Sequence, residues 1–492
     1  MKKKLLALNV AVILVCITFA VCLSGCDGFG MLWKNVSTYE ELIARYSWNK
    51  DSGYSVKLTA DIDCEFATVT PLLLGKTFDG QGHTIKNAVV KAENGYASFF
   101  NEVTQTIKNV TFENITVQGA GQCDAIVAAA GCKEISNVHV KNSKLTATQS
   151  VRNALYACFV GGIFGGTRED YNDGLIDCVI TDCTVENTEI VLNKYNSEKL
   201  NQADIFIGGI AGGCSKISGC RVENCNISAV SSDMKCIPFV GGVVGTVSGG
   251  VENSGSVNNV LTATALYYQK GAFSMYSTST AYCGGIAARV LPVKNENIYG
   301  INCCFAEDNE ITAQSTGSVY AGGLLGYITK LGVNQCYAKS NSIIMDDFKS
   351  GNKDDDIQRR CGGLIGSAAN NSVTSCFVYN DKGLFEFTFP TFKNSSKVAG
   401  LVAGIGNITV SKCATFNAEE QINSSTTDEF CPAEIENLTN CYVSSIQFGN
   451  ACGCETLDED FWNSPNSLKS KLALTNGFWK FDKGIPYFDF SL

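Results

Sequence analysis

Residues 207–229 read IGGIAGGCSKISGCRVENCNISA, and the fold follows from the recurrence of this stretch. Its first half returns as VGGIFGG (160–166), VGGVVGT (240–246), CGGIAAR (283–289), AGGLLGY (321–327), CGGLIGS (361–367) and VAGLVAG (398–404). Its second half reads IDCVI, ISGCRV, VENSGSV, INCCFA, VNQCYA, VTSCFV, VSKCAT and LTNCYV in successive units. The second glycines are Gly162, Gly209, Gly242, Gly285, Gly323, Gly363 and Gly400, a mean spacing of about 40 residues. GCKEISNVHVKNSKLTA, from Gly131, is a degenerate earlier copy.

Each unit holds two or three short runs rich in Val, Ile, Gly and Cys, which suit strands and are too short for helices. A unit this small cannot bury its apolar face alone, so successive units must stack. Stacked strands about 4.8 Å apart put each repeat position in a column through the core. The expected fold is all-β, a right-handed parallel β-helix with a short N-terminal capping helix. A β-propeller is the alternative, since about 40 residues also fill a blade; it would need antiparallel hairpins, and Asn-Gly or Asp-Gly pairs are few between the runs.

Upstream, Lys2, Lys3 and Lys4 precede an apolar run, Leu5 to Leu23, that ends in Leu-Ser-Gly-Cys at Cys26. This order resembles a bacterial lipoprotein signal, in which Cys26 becomes the diacylated first residue of the mature chain. The predicted organisation is a signal peptide over 1–25, a tether over 26–36, an N-terminal cap and opening coils over 37–95, repeats over 96–449 and a C-terminal cap over 450–492. Ser37 and Glu40 have capping-box spacing before Leu42 and Ile43, which predicts the short helix.

The GG-apolar-x-G runs followed by I-x-x-C-x-[VA] resemble the GLUG motif, a repeat of secreted and surface-anchored bacterial proteins. LTADIDC with TFDGQGHTI is similar to the opening coils of such proteins, and GFWKFDKGIPYF to their terminal segment. The resemblance implies a right-handed β-helix at the cell surface and carries over no catalytic residue. Ala288 and Ala399 stand where the pattern has glycine, so irregular coils are expected there.

Composition narrows the function. After the first 25 residues, 35 basic side chains face 48 acidic ones, which argues against nucleic acid. Only His83 and His139 are present, which removes an HExxH zinc pair, and no cofactor is called for. Asp79 to His83 reads DGQGH, with Asp61 and Asp63 nearby, a run that reads more readily as a turn than as a catalytic site. Asp346, Asp347, Asp354, Asp355 and Asp356 could offer oxygen ligands to Ca²⁺ but lack EF-hand spacing.

Cys178, Cys220, Cys304, Cys336, Cys376, Cys413 and Cys441 are assigned one phase of the repeat, with Ser254 in place of Cys in one unit. A buried column of small residues follows, with parallel Cβ vectors that orient the sulfurs poorly for disulfides. Serine at Cys336 is then expected to cost about 1–3 kcal/mol through an unpaired buried hydroxyl, unless a neighbour accepts its hydrogen bond.

Extra residues fall mostly between the end of one unit and the next Gly-Gly, on one side of a solenoid. Tyr267, Tyr268, Phe273, Tyr276 and Tyr282 mark one such insertion as a candidate binding loop. Phe385, Phe387, Phe389 and Phe392 mark another, which reads equally well as an added strand. The expected protein is a lipid-anchored, monomeric, non-enzymatic surface protein on the extracytoplasmic face of the cell membrane, displaying loops that bind a glycan or protein. A β-helix carbohydrate-active enzyme and a structural spacer are the alternatives.

Overall fold

The computed structural model describes residues 32–46, 54–92, 96–103, 105–119, 123–149, 157–166, 178–194, 204–232, 236–266, 268–270, 276–278, 280–292, 299–347, 358–380, 385–388, 396–403, 407–417, 427–428, 437–444, 454–457, 465–474, 479–482 and 485–488. The predicted signal peptide, Cys26, Tyr267, Phe273, Phe389, Phe392 and Asp354 to Asp356 lie outside these residues.

The chain is a parallel β-helix. One coil shows the path: Ile205–Gly208, a Gly-Gly corner, Ala211–Cys214, then Lys216–Ser218, Arg221–Glu223 and Asn226–Ser231, before Pro238–Gly241 pairs in parallel with Ile205–Gly208. Repeating that path builds four walls. Sheet 1 has 24 strands and contains two per regular coil; sheet 2 runs in ten strands from Thr68–Val69 to Phe385–Thr388; sheet 3 in ten from Tyr96–Ala97 to Thr427–Asp428. Sheet 4 comprises Leu72–Leu74 to Ala128–Ala130 and Ala211–Cys214 to Ile365–Ala369, joined by bridges through Phe164. The described antiparallel pairs are confined to two hairpins, which rules out the propeller.

Single residues turn the corners around sheet 1. Gly219 (φ 67°) and Asn224 (φ 55°) hold left-handed backbone on either side of Arg221–Glu223, as do Asp182 and Asn187 one coil earlier and Asn253 and Asn258 one coil later. Asn, Asp and Gly tolerate that conformation best, so a one-residue bend replaces the two-residue hairpin turn. Inward positions between the bends are apolar: Ile217, Val222 and Ile227 are fully buried.

The Gly-Gly signature has a different cause. A Cβ on Gly242 would lie 2.0 Å from the carbonyl oxygen of Gly285, and one on Gly285 2.1 Å from that of Gly323, although neither has positive φ. Close approach of successive coils therefore excludes any side chain there. The expected irregularity at Ala288 does not occur, since Ala287 and Arg289 keep register with Val244 and Thr246. At Ala399 the strand still pairs in register with Gly362, and among the described residues sheet 4 beyond it continues as the bridge Ile365↔Val402.

Both ends depart from expectation. Residues 32–36, assigned to the tether, form Leu32–Val36, the first strand of sheet 1, paired with Tyr54–Leu58. Helix α1, Tyr39–Tyr46, buries Leu42, and its cap is shifted by one residue: Thr38 Oγ1 accepts from Glu41 N at 3.2 Å while Glu41 accepts from Ser37 N at 2.8 Å.

The C-terminal segment is more than an end cap. Helix α2, Pro465–Leu472, and the hairpin Trp479–Asp482/Ile485–Phe488 contribute Leu468, Leu472 and Trp479 to an outer core with Phe305, Tyr337, Phe377 and Tyr442. These aromatics share one register column on the outside of sheet 1, with Ala414 between Phe377 and Tyr442, so the segment lies along its flank. No helix among the described residues is long and apolar enough to cross a membrane.

Candidate functional site

The cysteine column exists, with one substitution of membership. Register places Cys178 beside Ser215, at the start of the first strand of sheet 1, whereas Cys183 precedes Thr184–Glu186 at the corner that Cys220 occupies one coil later. The column therefore runs Cys183, Cys220, Ser254, Cys304, Cys336, Cys376, Cys413 and Cys441. ITDCTV (180–185) carries the I-x-x-C-x-V spacing and was the available signal.

Each member of the column does more than fill space. Cys336 N donates to Cys376 Sγ at 3.4 Å, Cys304 N to Cys336 Sγ at 3.3 Å, and Cys220 N to Ser254 Oγ at 3.1 Å. Each sulfur or hydroxyl in turn donates to the carbonyl two residues back, as in Cys336 Sγ to Asn334 O at 3.1 Å and Ser254 Oγ to Glu252 O at 2.7 Å. Burial pushes the Cys336 and Cys413 thiols up, which keeps them protonated.

The next corner repeats the device with amides, which sequence reading missed. Asn259 N donates to Asn309 Oδ1 and Asn309 N to Asn341 Oδ1, both at 3.0 Å, and Asn309 Nδ2 adds a bond to Asn341 Oδ1 at 2.9 Å. Ser143, Thr188 and Cys225 hold the same position in earlier coils. The signal was a second polar residue following each left-handed Asn, Asp or Ser.

DGQGH is a corner of the scaffold. Asp79 is 4% exposed, and its Oδ1 accepts from Gln81 N at 3.0 Å and Asn109 Nδ2 at 3.1 Å. His83 Nδ1 lies 3.1 Å from Asp61 Oδ1, which also takes Thr84 N at 3.0 Å; the backbone bond and the imidazole together lower the Asp61 pKa. Asp63 instead accepts from Asn87 Nδ2. His139 bridges Thr184 and Asn137 on the outside of sheet 1, and burial lowers its pKa.

Extra residues fall in two kinds of connection, not one: between strands of sheets 2 and 3, as expected, and also, at 167–177 and 293–298, between described residues of sheets 4 and 1. The aromatic insertion contains an antiparallel hairpin, Tyr268–Lys270 with Tyr276–Thr278, in which Lys270 pairs with Tyr276. Tyr282 does not belong to it, because it lies in the ladder of sheet 3 between Phe239 and Tyr320. Phe385 and Phe387 continue sheet 2 in register with Ile343 and Met345, in agreement with the added-strand reading.

Tyr282 leads to the site. Phe159, Phe206, Phe239, Tyr282, Tyr320 and Arg360 occupy one register column of sheet 3. Successive ring centroids lie 5.2, 4.8, 4.6 and 4.7 Å apart with interplanar angles of 20° or less. Thr246, Arg289, Tyr327 and Ser367 form the facing column of sheet 4.

The two columns interlock. The Arg289 guanidinium lies 4.5 Å from the Phe206 ring centroid and 4.6 Å from that of Phe239, Tyr327 meets Tyr282 edge-on at 6.0 Å, and Arg360 lies over Tyr320 at 5.9 Å. Along the seam the chemistry changes: Phe159 and Phe206 are fully buried, whereas Tyr282, Tyr320 and Tyr327 are partly exposed. Burial pushes the Tyr282 and Tyr320 hydroxyls up, so both remain neutral donors, and Tyr320 OH donates to Gln358 Oε1 at 2.9 Å.

No family model matches the chain, and no curated protein does. Among solved structures it is similar to a candidate immunoglobulin A1 protease from Bacteroides ovatus, with TM-score 0.34 and 16% identity over 93% of this chain and 92% of that one. It is similar also to PfbA, a surface adhesin of Streptococcus pneumoniae, with TM-score 0.29 and 13% identity over 80% and 83%. A third is the A-module of the Azotobacter vinelandii mannuronan C-5 epimerase AlgE4, with TM-score 0.24 and 11% identity over 82% and 98%. None lends a residue or a ligand to this chain.

Proposed function

We propose that the chain is a GLUG-type surface lipoprotein, anchored through Cys26 on the extracytoplasmic face of the cell membrane, whose β-helix holds a ligand-binding strip on sheets 3 and 4. The observation that carries the binding part is the change along one stacked column from buried Phe to partly exposed Tyr and then Arg. A column that served only to pack would gain nothing from hydroxyls and a guanidinium beyond its Phe residues, whereas aromatic bodies with polar tips suit recognition. The paired strands Tyr268–Lys270 and Tyr276–Thr278 precede Tyr282 in the chain. Binding without turnover is the activity proposed.

Two measurements test this reading. Mass spectrometry of the native N-terminus should find a diacylated Cys26; an intact Met1 would refute the anchor. Tyr327→Ala should keep the unfolding temperature within a few degrees, since Tyr327 is partly exposed, and should lower attachment of the protein to cells or to arrayed glycans. Unchanged attachment in a folded variant would remove the strip from the binding surface.

A further inference from the structure

We infer that the Tyr320–Arg360 part of the strip recognises a carboxylate-bearing sugar, with Arg360 as the carboxylate's partner; this rests on the binding reading above. Arg360 is 7% exposed, and its guanidinium makes one hydrogen bond, Nη1 to Ser367 Oγ at 3.4 Å, besides its place over the Tyr320 ring. Among the described residues it has no carboxylate partner. A guanidinium has five donors in a planar fork, and those that Arg360 leaves unbonded are not sealed inside the protein, so an incoming anion can meet them. The column itself supplies no anion, because the register neighbours of Arg360 are Tyr320 and Lys397.

The surroundings select among anions. The facing positions Thr246, Arg289, Tyr327 and Ser367 add a second cation and no acid; Asp204 acts on Tyr282, two coils away from Arg360. Around Arg360, Ser367 Oγ, Gln358 and Tyr320 OH form a rim of neutral hydrogen-bonding groups on the scale of sugar hydroxyls. Tyr327 is turned 74° from the plane of Tyr282, so it stands outside the stack that occupies the faces of the other rings. A pyranose can lie against such a ring while its carboxylate takes the guanidinium in a bidentate pair.

The test is calorimetric titration of the full mature chain, produced without its lipid, with an oligogalacturonate and with the same oligomer fully methyl-esterified. The acid form should bind and weaken as salt rises. Methyl-esterification should weaken it about tenfold or more, the scale of a lost charge-assisted hydrogen bond. Arg360→Gln should do the same, with Arg360→Lys between it and the natural protein, and thermal unfolding of both variants keeps loss of fold apart from loss of ligand.

Equal binding of acid and ester, or undiminished binding in folded Arg360→Gln, would overturn the inference. Preference for polyglutamate over oligogalacturonate would overturn its sugar component. Failure of the natural protein to bind either oligomer would also overturn it, while the Tyr327→Ala attachment assay reports separately on whether the strip binds anything.

Discussion

At the two corners of sheet 1, from Ser143 and Cys183 onward, the side chain after the left-handed residue accepts a backbone N–H from the preceding coil. Sulfur and hydroxyl then donate to the carbonyl two residues back, whereas the amides of Asn259, Asn309 and Asn341 donate to a carbonyl of the preceding coil. Ser254 makes both bonds within the cysteine column. Cys336→Ser should therefore change unfolding free energy by less than about 1 kcal/mol, because the hydroxyl inherits both bonds and Asn334 O is the accepting neighbour on which the sequence expectation turned. Cys336→Ala leaves Cys304 N–H without its acceptor and should cost about 1–3 kcal/mol. Denaturant unfolding of the two variants checks this; a serine less stable than alanine would assign the position to packing alone. Burial also fixes a pH response. Cys225 is pushed up from 9.0 to about 12 by burial, so the folded state keeps a proton that the unfolded chain releases. That stabilisation is complete below pH 9 and is lost as pH rises from about 9 to 12, while the native Cys225 thiol should stay inert to thiolate-directed reagents at pH 8 and react on unfolding. Stability unchanged up to pH 12 would contradict the assignment.

Among the elements, the hairpin and the C-terminal segment make opposite predictions. The hairpin at 268–278 pairs with itself, and the strands on either side, Val260–Ala265 and Ala281–Gly284, are held by neighbouring coils. Replacing it by a short Gly/Ser linker should shift the unfolding temperature by only a few degrees, since loop closure depends weakly on length. Attachment should fall; global unfolding would instead make the hairpin part of the core. Trp479, by contrast, is 6% exposed, packs between Tyr337 and Phe377, and donates Nε1–H to Gln335 Oε1 at 3.2 Å. Trp479→Ala should cost about 3–5 kcal/mol. In a solenoid each coil contacts only its neighbours, so hydrogen exchange should rise across 305–457 and remain unchanged near 205–231. A uniform rise would show that the coils unfold as one unit.

At the scale of the whole molecule, the repeat made the architecture legible before any coordinate. Spaced glycines and short apolar runs impose stacking, because no unit can bury its own face, and the Gly242 and Gly285 contacts show why glycine alone fits at the corner. The same pattern could have placed Cys183 correctly. It could also have located the C-terminal segment, since Phe305, Tyr337, Phe377 and Tyr442 follow the column cysteines only in the later coils, where earlier ones have Thr184, Arg221 and Gly255. The strip was not legible. Phe159 and Arg360 are 201 positions apart in the chain, and one register column joins them only after the variable insertions between coils have been absorbed at the corners. Sequence determined the period, the inward positions and the corner residues, since each is dictated by contacts within a coil or with an equivalent residue one coil away. Tertiary structure alone decided which outward columns meet, because that depends on how two walls of the helix face each other, and no local pattern encodes the angle between them.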